Sequence, residues 1–165
     1  MFPPAAAAAS SSSSSSSESP PSAPSTASHM DTFELLSRDD ALASVDSYGD
    51  SAFIVNGVLV SQSIIAFGGT SLLWDVGSLA DVSVRTAAAL LLVKPVPEIV
   101  ILGCGERPMP AAVDGELVRA LRAQGSVVEV MSTAKGAALF NILNQEGRRV
   151  AAALLVSSAG SGGAG

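Results

Sequence analysis

The 165-residue sequence has very few of the side chains on which most catalytic and metal sites depend. It contains one cysteine, Cys104, and one histidine, His29. A single cysteine excludes an internal disulfide framework and any multi-cysteine zinc site. His29 lies in an Ala/Ser/Pro-rich leader, so the rest of the chain has no histidine for a Ser-His-Asp triad or a Cys-His pair. We therefore predict no metal site and no conventional catalytic set.

Basic charge and long apolar runs are also scarce. Nine Lys and Arg residues stand against 15 Asp and Glu residues, and the basic residues form no stripe of the kind that nucleic-acid binding requires. The longest apolar runs, residues 87–93 and 150–156, are far shorter than the ~20 residues that a membrane-spanning helix needs. We therefore predict no nucleic-acid partner and no transmembrane segment.

The composition divides the chain into four parts. Residues 1–30 are almost wholly Ala, Ser and Pro, which predicts a disordered leader. The leader is a candidate transit segment, but it lacks arginine, so a plain low-complexity extension and a translation start at Met30 stay open. An acidic linker over 31–47, a single domain over 48–156 and a flexible tail over 157–165 complete the predicted organisation.

Apolar periodicity within the domain predicts alternating strands and helices. Asn56-Gly57 between two short apolar runs predicts a β-hairpin of residues 53–55 and 58–60. After the hairpin we predict strands over 72–76, 98–102 and 127–131, and a last strand near the C-terminal end of the domain. Three helices alternate with these strands. The first runs from Asp81 or Ser83 to about Val93, the second lies around 113–121 and is closed by Gly125, and the third is capped by Ser132 or Thr133 and ended by Gly147. This order predicts an α/β fold with a mixed, largely parallel sheet after an N-terminal hairpin.

The stretch IVILGCGERP places an apolar strand directly before a glycine turn, as many nucleotide sites do. Gly103 and Gly105 match the first two glycines of a dinucleotide-binding fingerprint, whereas Pro108 occupies the third position. Gly103, Gly105 and Arg107 are the cofactor-binding candidates, yet the missing third glycine leads us to predict no resident cofactor.

Polar side chains follow several predicted strands, where an α/β sheet usually binds its ligand. The members of this candidate cleft or interaction set are Trp74, Asp75, Glu106, Thr133 and Lys135. A shared cleft is one interpretation; the other is that Thr133 caps a helix and the charges form surface pairs. We expect Trp74 in the core or over the sheet edge, with an exposed binding anchor as the alternative.

Several segments, in the same order and spacing, resemble one known family. They are FIVNGV, LLWDVGS, PEIVILGCG and FNILNQEGRRVAAAL, and they extend over about residues 48–156. This set resembles the small Mth938-like (DUF498) proteins, and within them the mitochondrial complex I assembly factor 3 group. The resemblance implies a three-layer α/β/α fold around a mixed sheet. The family has no agreed catalytic residues to carry over. Relatives often have a hydroxyl residue where this chain has Leu139, which weakens any polar role there.

The resemblance also implies a function. It implies a non-catalytic assembly factor for respiratory complex I, the NADH:ubiquinone oxidoreductase, acting through protein–protein contacts with complex I subunits and another assembly factor. It implies a place at the matrix side of the mitochondrial inner membrane, peripheral to the bilayer. The cytosol is the alternative, because a second branch of the family is not tied to complex I.

Two other hypotheses stay open from the residues themselves. One is a small-ligand or nucleotide-binding module that uses the loop from Gly103 to Arg107. The other is an enzyme without histidine that works through Asp75, Lys135 or Cys104. Against the second, Cys104 follows a buried strand and no histidine can serve as its base, so we interpret this thiol as a partly buried spacer.

Overall fold

Residues 41–156 are described by the computed structural model of the chain. The predicted leader over 1–30, residues 31–40 of the predicted acidic linker and the predicted tail over 157–165 lie outside the described residues.

A small antiparallel sheet opens the fold. Its strands are β1 (Val45–Tyr48), β2 (Phe53–Val55) and β3 (Val58–Val60), in the order β1-β2-β3. The β2–β3 turn places both Asn56 and Gly57 at positive φ, 48° and 77°, which is the backbone geometry that confirms the predicted hairpin. Most of β1 lies in the segment that the sequence predicts as an acidic linker. The sequence analysis missed this strand because its acidic surroundings suggest a solvated segment. Only Val45 of the four strand residues is buried, so the strand has little apolar periodicity.

The main sheet has five strands and is mixed, as predicted. They are β4 (Ser63–Phe67), β5 (Thr70–Trp74), β6 (Ile99–Gly103), β7 (Val127–Met131) and β8 (Val150–Leu154), in the order β5-β4-β8-β6-β7. The β6–β7 and β6–β8 pairs are parallel, whereas β4 runs antiparallel to both β5 and β8. Strand β4, which the sequence analysis did not assign, places antiparallel pairing in the middle of the sheet.

Within residues 41–156 there are three α-helices: α1 (Ala88–Leu92), α2 (Gly115–Ala123) and α3 (Thr133–Gln145). The helix predicted from Asp81 or Ser83 to about Val93 is wrong in its first half, because only α1 is α-helical there. The hydroxyl of Thr86 donates to the carbonyl of Asp81 and accepts the amide of Ser83. Asp81 ends a short 3₁₀ helix, and residues 84–87 form turns that these local side-chain hydrogen bonds stabilise before α1 begins.

Two apolar layers hold the sheet between the helices. On one face, α1 and α2 contribute Leu90, Leu117 and Leu121 to a cluster with Val100 and Leu102 of β6. On the other face of the main sheet, α3 and the small sheet pack their apolar side chains against the strand residues that point to that face. The buried residues on this face include Ala43, Val45, Phe53, Val55, Ile64, Ile101, Phe140, Ala152 and Leu154. The result is the predicted three-layer α/β/α arrangement.

Two asparagines of α3 attach β1 to the rest of the domain. The side-chain amide of Asn141 accepts the amide N–H of Val45 at 2.9 Å and donates to its carbonyl at 2.9 Å, as a neighbouring strand would. Asn144, which is buried, donates to the carbonyls of Ala43 and Gly68. The Phe140-Asn141 segment, which contributes to the family resemblance, therefore has a structural role. It lies in α3, the helix whose side chains contact both the small sheet and the main sheet.

Candidate functional site

The candidate residues lie at one end of the main sheet, which we call the C-terminal edge. Strands β5, β6, β7 and β8 all end there, and antiparallel β4 begins there. Ligands of α/β proteins usually bind at such an edge, so this is the place to test the predicted cleft.

Two buried hydroxyls close this edge around the end of β8. The hydroxyl of Thr133 donates to the carbonyl of Leu155 at 2.7 Å and accepts the amide of Gly105 at 2.9 Å. On the other side of β8, the hydroxyl of Ser63 donates to the carbonyl of Val76 at 2.7 Å and accepts the amide of Val156 at 3.2 Å. Each hydroxyl therefore bridges two backbone segments. Thr133 is the first residue of α3 and does not act as its cap.

The Gly-Cys-Gly turn uses its own amides internally. The amide of Cys104 donates to the carbonyl of Met131, and the amide of Gly105 donates to Thr133. A phosphate loop needs such amides free to face its ligand. A Cβ added to Gly103 would lie 2.8 Å from Leu154 and 3.0 Å from the Cα of Thr133, so this glycine permits close contact between β6, β8 and α3.

A shallow cavity of about 180 Å³ lies beside this turn. Its lining consists of Tyr48, Gly49, Asp50, Gly105, Glu106, Thr133 and Ala134. The structure thus brings three of the predicted residues together, Gly105, Glu106 and Thr133, and adds the β1–β2 turn. The lining carries two carboxylates, from Asp50 and Glu106, and no basic side chain. That charge balance disfavours a phosphate or a carboxylate ligand.

The other candidate residues do not join this cavity. Lys135 and Arg107 are exposed and lie outside its lining. Strand β5, which ends at Trp74, is three strands away from β6, so Trp74 and Asp75 are separated from the glycine turn by roughly 14 Å. Trp74 is buried in the core and its indole N–H donates to the carbonyl of Thr86 at 2.8 Å, whereas Asp75 is exposed.

Cys104 is half-buried against the core cluster of α1 and α2. Burial raises the pKa of its thiol above the ordinary 9.0, and a backbone hydrogen bond from Met109 offsets this only in part. Its Sγ lies 3.7 Å from the carbonyl of Leu102. A thiol in this setting is mostly protonated at neutral pH, which suits a spacer better than a nucleophile.

A larger recess, which the sequence analysis missed, lies at the opposite end of the sheet. It has a volume of about 280 Å³, and we call it the basic groove. Its apolar lining comes from Leu42, Phe67, Val93, Pro95, Pro97 and Val150, and its charged lining from Lys94, Arg148 and Arg149. The only sequence signal was the Arg148-Arg149 pair, because Lys94 is far away along the chain.

Glu98 holds the two arginines of this groove in place. Its carboxylate accepts from Nε of Arg148 at 3.2 Å and from Nη2 of Arg149 at 3.0 Å. Hydrogen bonds from Arg149 and then from Arg148 hold the pKa of Glu98 below its ordinary 4.5. The three side chains are 40–54% exposed, so these ion pairs orient the guanidinium groups more than they stabilise the fold.

Two further properties describe residues 41–156 as a whole. None of their helices has the length and apolar content that a membrane crossing requires. Their His, Cys, Asp and Glu side chains nowhere gather in groups of three that could hold a metal ion.

A family model described as "Protein of unknown function (DUF498/DUF598)" matches residues 45–155, which is almost all of the described fold. The chain belongs to the DUF498 family. The match begins with β1 and ends just after β8, so the small sheet and the main sheet are both part of what the family shares.

Curated relatives of this DUF498 chain carry one name, "NADH dehydrogenase [ubiquinone] 1 alpha subcomplex assembly factor 3". The protein of Bos taurus is 34% identical over 135 residues, which is 77% of this chain and 68% of the relative. That of Homo sapiens is 34% identical over 128 residues, again covering 77% and 68%. That of Danio rerio is 36% identical over 115 residues, covering 70% and 65%.

Solved structures share the fold. A crystal structure of a Bordetella parapertussis protein matches with a TM-score of 0.63 and 38% identity, over 70% of this chain and 97% of that one. The solution structure of a Bordetella pertussis protein described as a Mth938-like domain matches with a TM-score of 0.59 and 33% identity, over 70% and 86%. The fold of this DUF498 chain is therefore Mth938-like, as the resemblance implied.

Proposed function

We propose that this chain is an assembly factor for respiratory complex I in mitochondria, and that it acts by binding other proteins. The observation that carries the proposal is the shared domain: relatives about one third identical across it are named complex I assembly factor 3. The proposed partners are complex I subunits and another assembly factor. The proposed site of action is the matrix side of the inner membrane.

Exposed apolar side chains support a binding role. On the hairpin, Val58 and Leu59 are 62% and 68% exposed. On β5, an edge strand of the main sheet, Leu73 is 68% exposed and Leu72 is also exposed. The free side of an edge strand presents unpaired backbone groups to a partner. Such strands with apolar side chains are the usual sites of pairing with a second chain.

The chemistry of the described residues supports a non-catalytic role. The thiol of Cys104 has a raised pKa and no histidine partner among residues 41–156, and Thr133 and Ser63 use their hydroxyls on backbone groups. Two of the candidates for an enzyme without histidine also lie apart, because Asp75 follows β5, three strands away from β6, which leads into Cys104.

Deletion of the gene tests the proposal. We expect less assembled complex I on native gels and an accumulation of subcomplexes, both restored by the natural chain. Fractionation of the same cells should recover the chain with mitochondria. A normal amount of complex I in the deletion strain, or recovery of the chain only in the cytosol, would contradict the proposal and favour a family branch unrelated to complex I.

A further inference from the structure

The basic groove combines an apolar floor with a positive rim. Residues 41–156 carry ten acidic and eight basic side chains, so the domain as a whole is slightly acidic. Three of the eight basic residues nevertheless line this one recess, against a single carboxylate, that of Glu98, paired with two of them at the rim. The groove is therefore a local reversal of the charge of the domain.

The floor of the groove is apolar and accessible. Leu42 is 44% exposed, and Phe67 and Val93 are half-buried around the same recess. The volume of about 280 Å³ lies at the lower end of the roughly 300–1,000 Å³ that small-molecule sites usually enclose. The recess is large enough to hold a large apolar side chain of a bound peptide.

The positive rim is oriented before any ligand arrives. The backbone carbonyl of Arg149 accepts the amides of Glu98 and Ile99, which fixes the start of β8 against the start of β6. The carboxylate of Glu98 then aligns the guanidinium groups of Arg148 and Arg149 side by side. Glu98 uses only part of their donor capacity, since an arginine offers five N–H groups. Among residues 41–156, no other side-chain acceptor pairs with the remaining donors or with the exposed ammonium of Lys94. These groups are therefore free to bind a ligand.

We propose that the basic groove binds an acidic linear segment of a protein partner, with an apolar side chain of that segment seated against Leu42, Phe67 and Val93. Carboxylates flanking the apolar residue would pair with Lys94, Arg148 and Arg149. The inference rests on the proposed function for the idea that the partner is a protein. Charge complementarity and the apolar floor supply its chemistry.

Binding of a labelled peptide to the purified full-length chain tests the groove directly. The probe is a fluorescein-labelled peptide in which glutamates flank a leucine–phenylalanine pair, and its control has glutamines in place of the glutamates. We expect fluorescence anisotropy to report binding of the acidic probe at least about tenfold tighter than the control, weakening with added salt. Equal binding of the two peptides would overturn the inference.

Charge reversal locates the site. We expect R148E/R149E to weaken binding of the acidic probe at least about tenfold. The matched variant R85E/R119E carries the same change of charge on exposed residues outside the groove, and we expect less than about a twofold change from it. Because reversal beside Glu98 can loosen the start of β6, R148Q/R149Q provides a milder variant that should lose several-fold. Wild-type affinity in both groove variants would overturn the inference.

A cellular readout separates this inference from the proposed function. A photo-crosslinking residue at Val93 should link the chain to Asp- and Glu-rich peptides of another protein, and R148E/R149E should remove those links. Links to lipid, to a second copy of the chain or to basic peptides would overturn the inference. If R148E/R149E restores complex I in the deletion strain as fully as the natural chain, the groove inference fails while the proposed function stands. If deletion leaves complex I normal, the proposed function fails and the peptide assay still decides the groove.

Discussion

The two ends of the main sheet are built in opposite ways. At the C-terminal edge, the hydroxyls of Thr133 and Ser63 join the backbone around the end of β8. At the other end, Lys94, Arg148 and Arg149 stand over an open apolar recess. The edge where α/β proteins usually bind ligands is thus largely occupied by internal hydrogen bonds. Polar residues at the ends of strands are therefore insufficient signs of a ligand site, because the fold can use the same groups to close itself.

Removal of the Thr133 hydroxyl should have the largest effect on stability. Thr133→Val keeps the shape of the side chain but leaves the carbonyl of Leu155 and the amide of Gly105 without their partner. Each unpaired buried group costs about 1–3 kcal/mol, so we expect the free energy of unfolding in urea to fall by about 2–4 kcal/mol. Thr133→Ser should lose far less. A Thr133→Val protein as stable as the parent would break the contrast between the two ends of the sheet.

Substitutions of Gly103 and Gly105 should distinguish two reasons for glycine in this turn, which are close packing and a positive φ. Gly103→Ala forces a Cβ against Leu154 and Thr133, and we expect a loss of about 1–3 kcal/mol in the free energy of unfolding. Gly105→Ala meets no atom within 4 Å but keeps a φ of +84°, which should cost about 1 kcal/mol. A greater loss for Gly105→Ala than for Gly103→Ala would mean that loop conformation, and not close contact at this edge, is the dominant constraint.

The thiol of Cys104 should report burial at the same edge. Burial raises its pKa above 9.0, so the folded state holds the proton more tightly than the unfolded state. The contribution of this group to stability is full below pH 9.0 and is lost as the pH rises through the folded pKa. We expect iodoacetamide to label the native protein several-fold more slowly than the protein in urea, and Cys104→Ser to flatten the alkaline decline. Equal labelling rates would indicate an accessible, reactive thiol.

Glu98 should give the smallest effect, at the open end of the sheet. The two arginines lower its pKa, so its contribution to stability is present above pH 4.5 and is lost as the pH falls through the folded pKa. Because the carboxylate is exposed, we expect only a slight fall in thermal midpoint across this range, reduced further by salt. Glu98→Gln should remove the slope. A steep acid transition that disappears in Glu98→Gln would show that the ion pairs at the open end of the sheet contribute strongly to stability. That result would contradict the difference drawn here between the two ends.

The hairpin and most strands of the main sheet were predictable because their signals are local, whereas β1 and β4 were missed. Asn56-Gly57 predicts its turn from two residues, and the apolar run before Gly103 predicts β6 from four. The helix predicted from Asp81 or Ser83 begins only at Ala88, because residues 84–87 form turns that hydrogen bonds of Thr86 with neighbouring residues stabilise. Strand β1 escaped detection because it is anchored from a distance, by Asn141 of α3.

The candidate site was predictable only in part. Glu106, Gly105 and Thr133 do meet, since they follow adjacent parallel strands. Trp74 and Asp75 stay apart from them because β4 and β8 lie between β5 and β6, an order that strand-by-strand reading does not reveal. The role of Ser63 had no local signal, because its partners Val76 and Val156 are 13 and 93 residues away.

The sequence by itself determined the fold class, the hairpin and the shortage of catalytic side chains, because these follow from composition, turn residues and short-range periodicity. Only the tertiary structure decided which polar groups are used internally and which remain open to a partner. Lys94 and Arg148 are far apart along the chain, and they meet because β6 and β8 begin side by side. Pairing between distant strands, which no local pattern encodes, thus placed the groove at the end of the sheet where the sequence had not predicted a site.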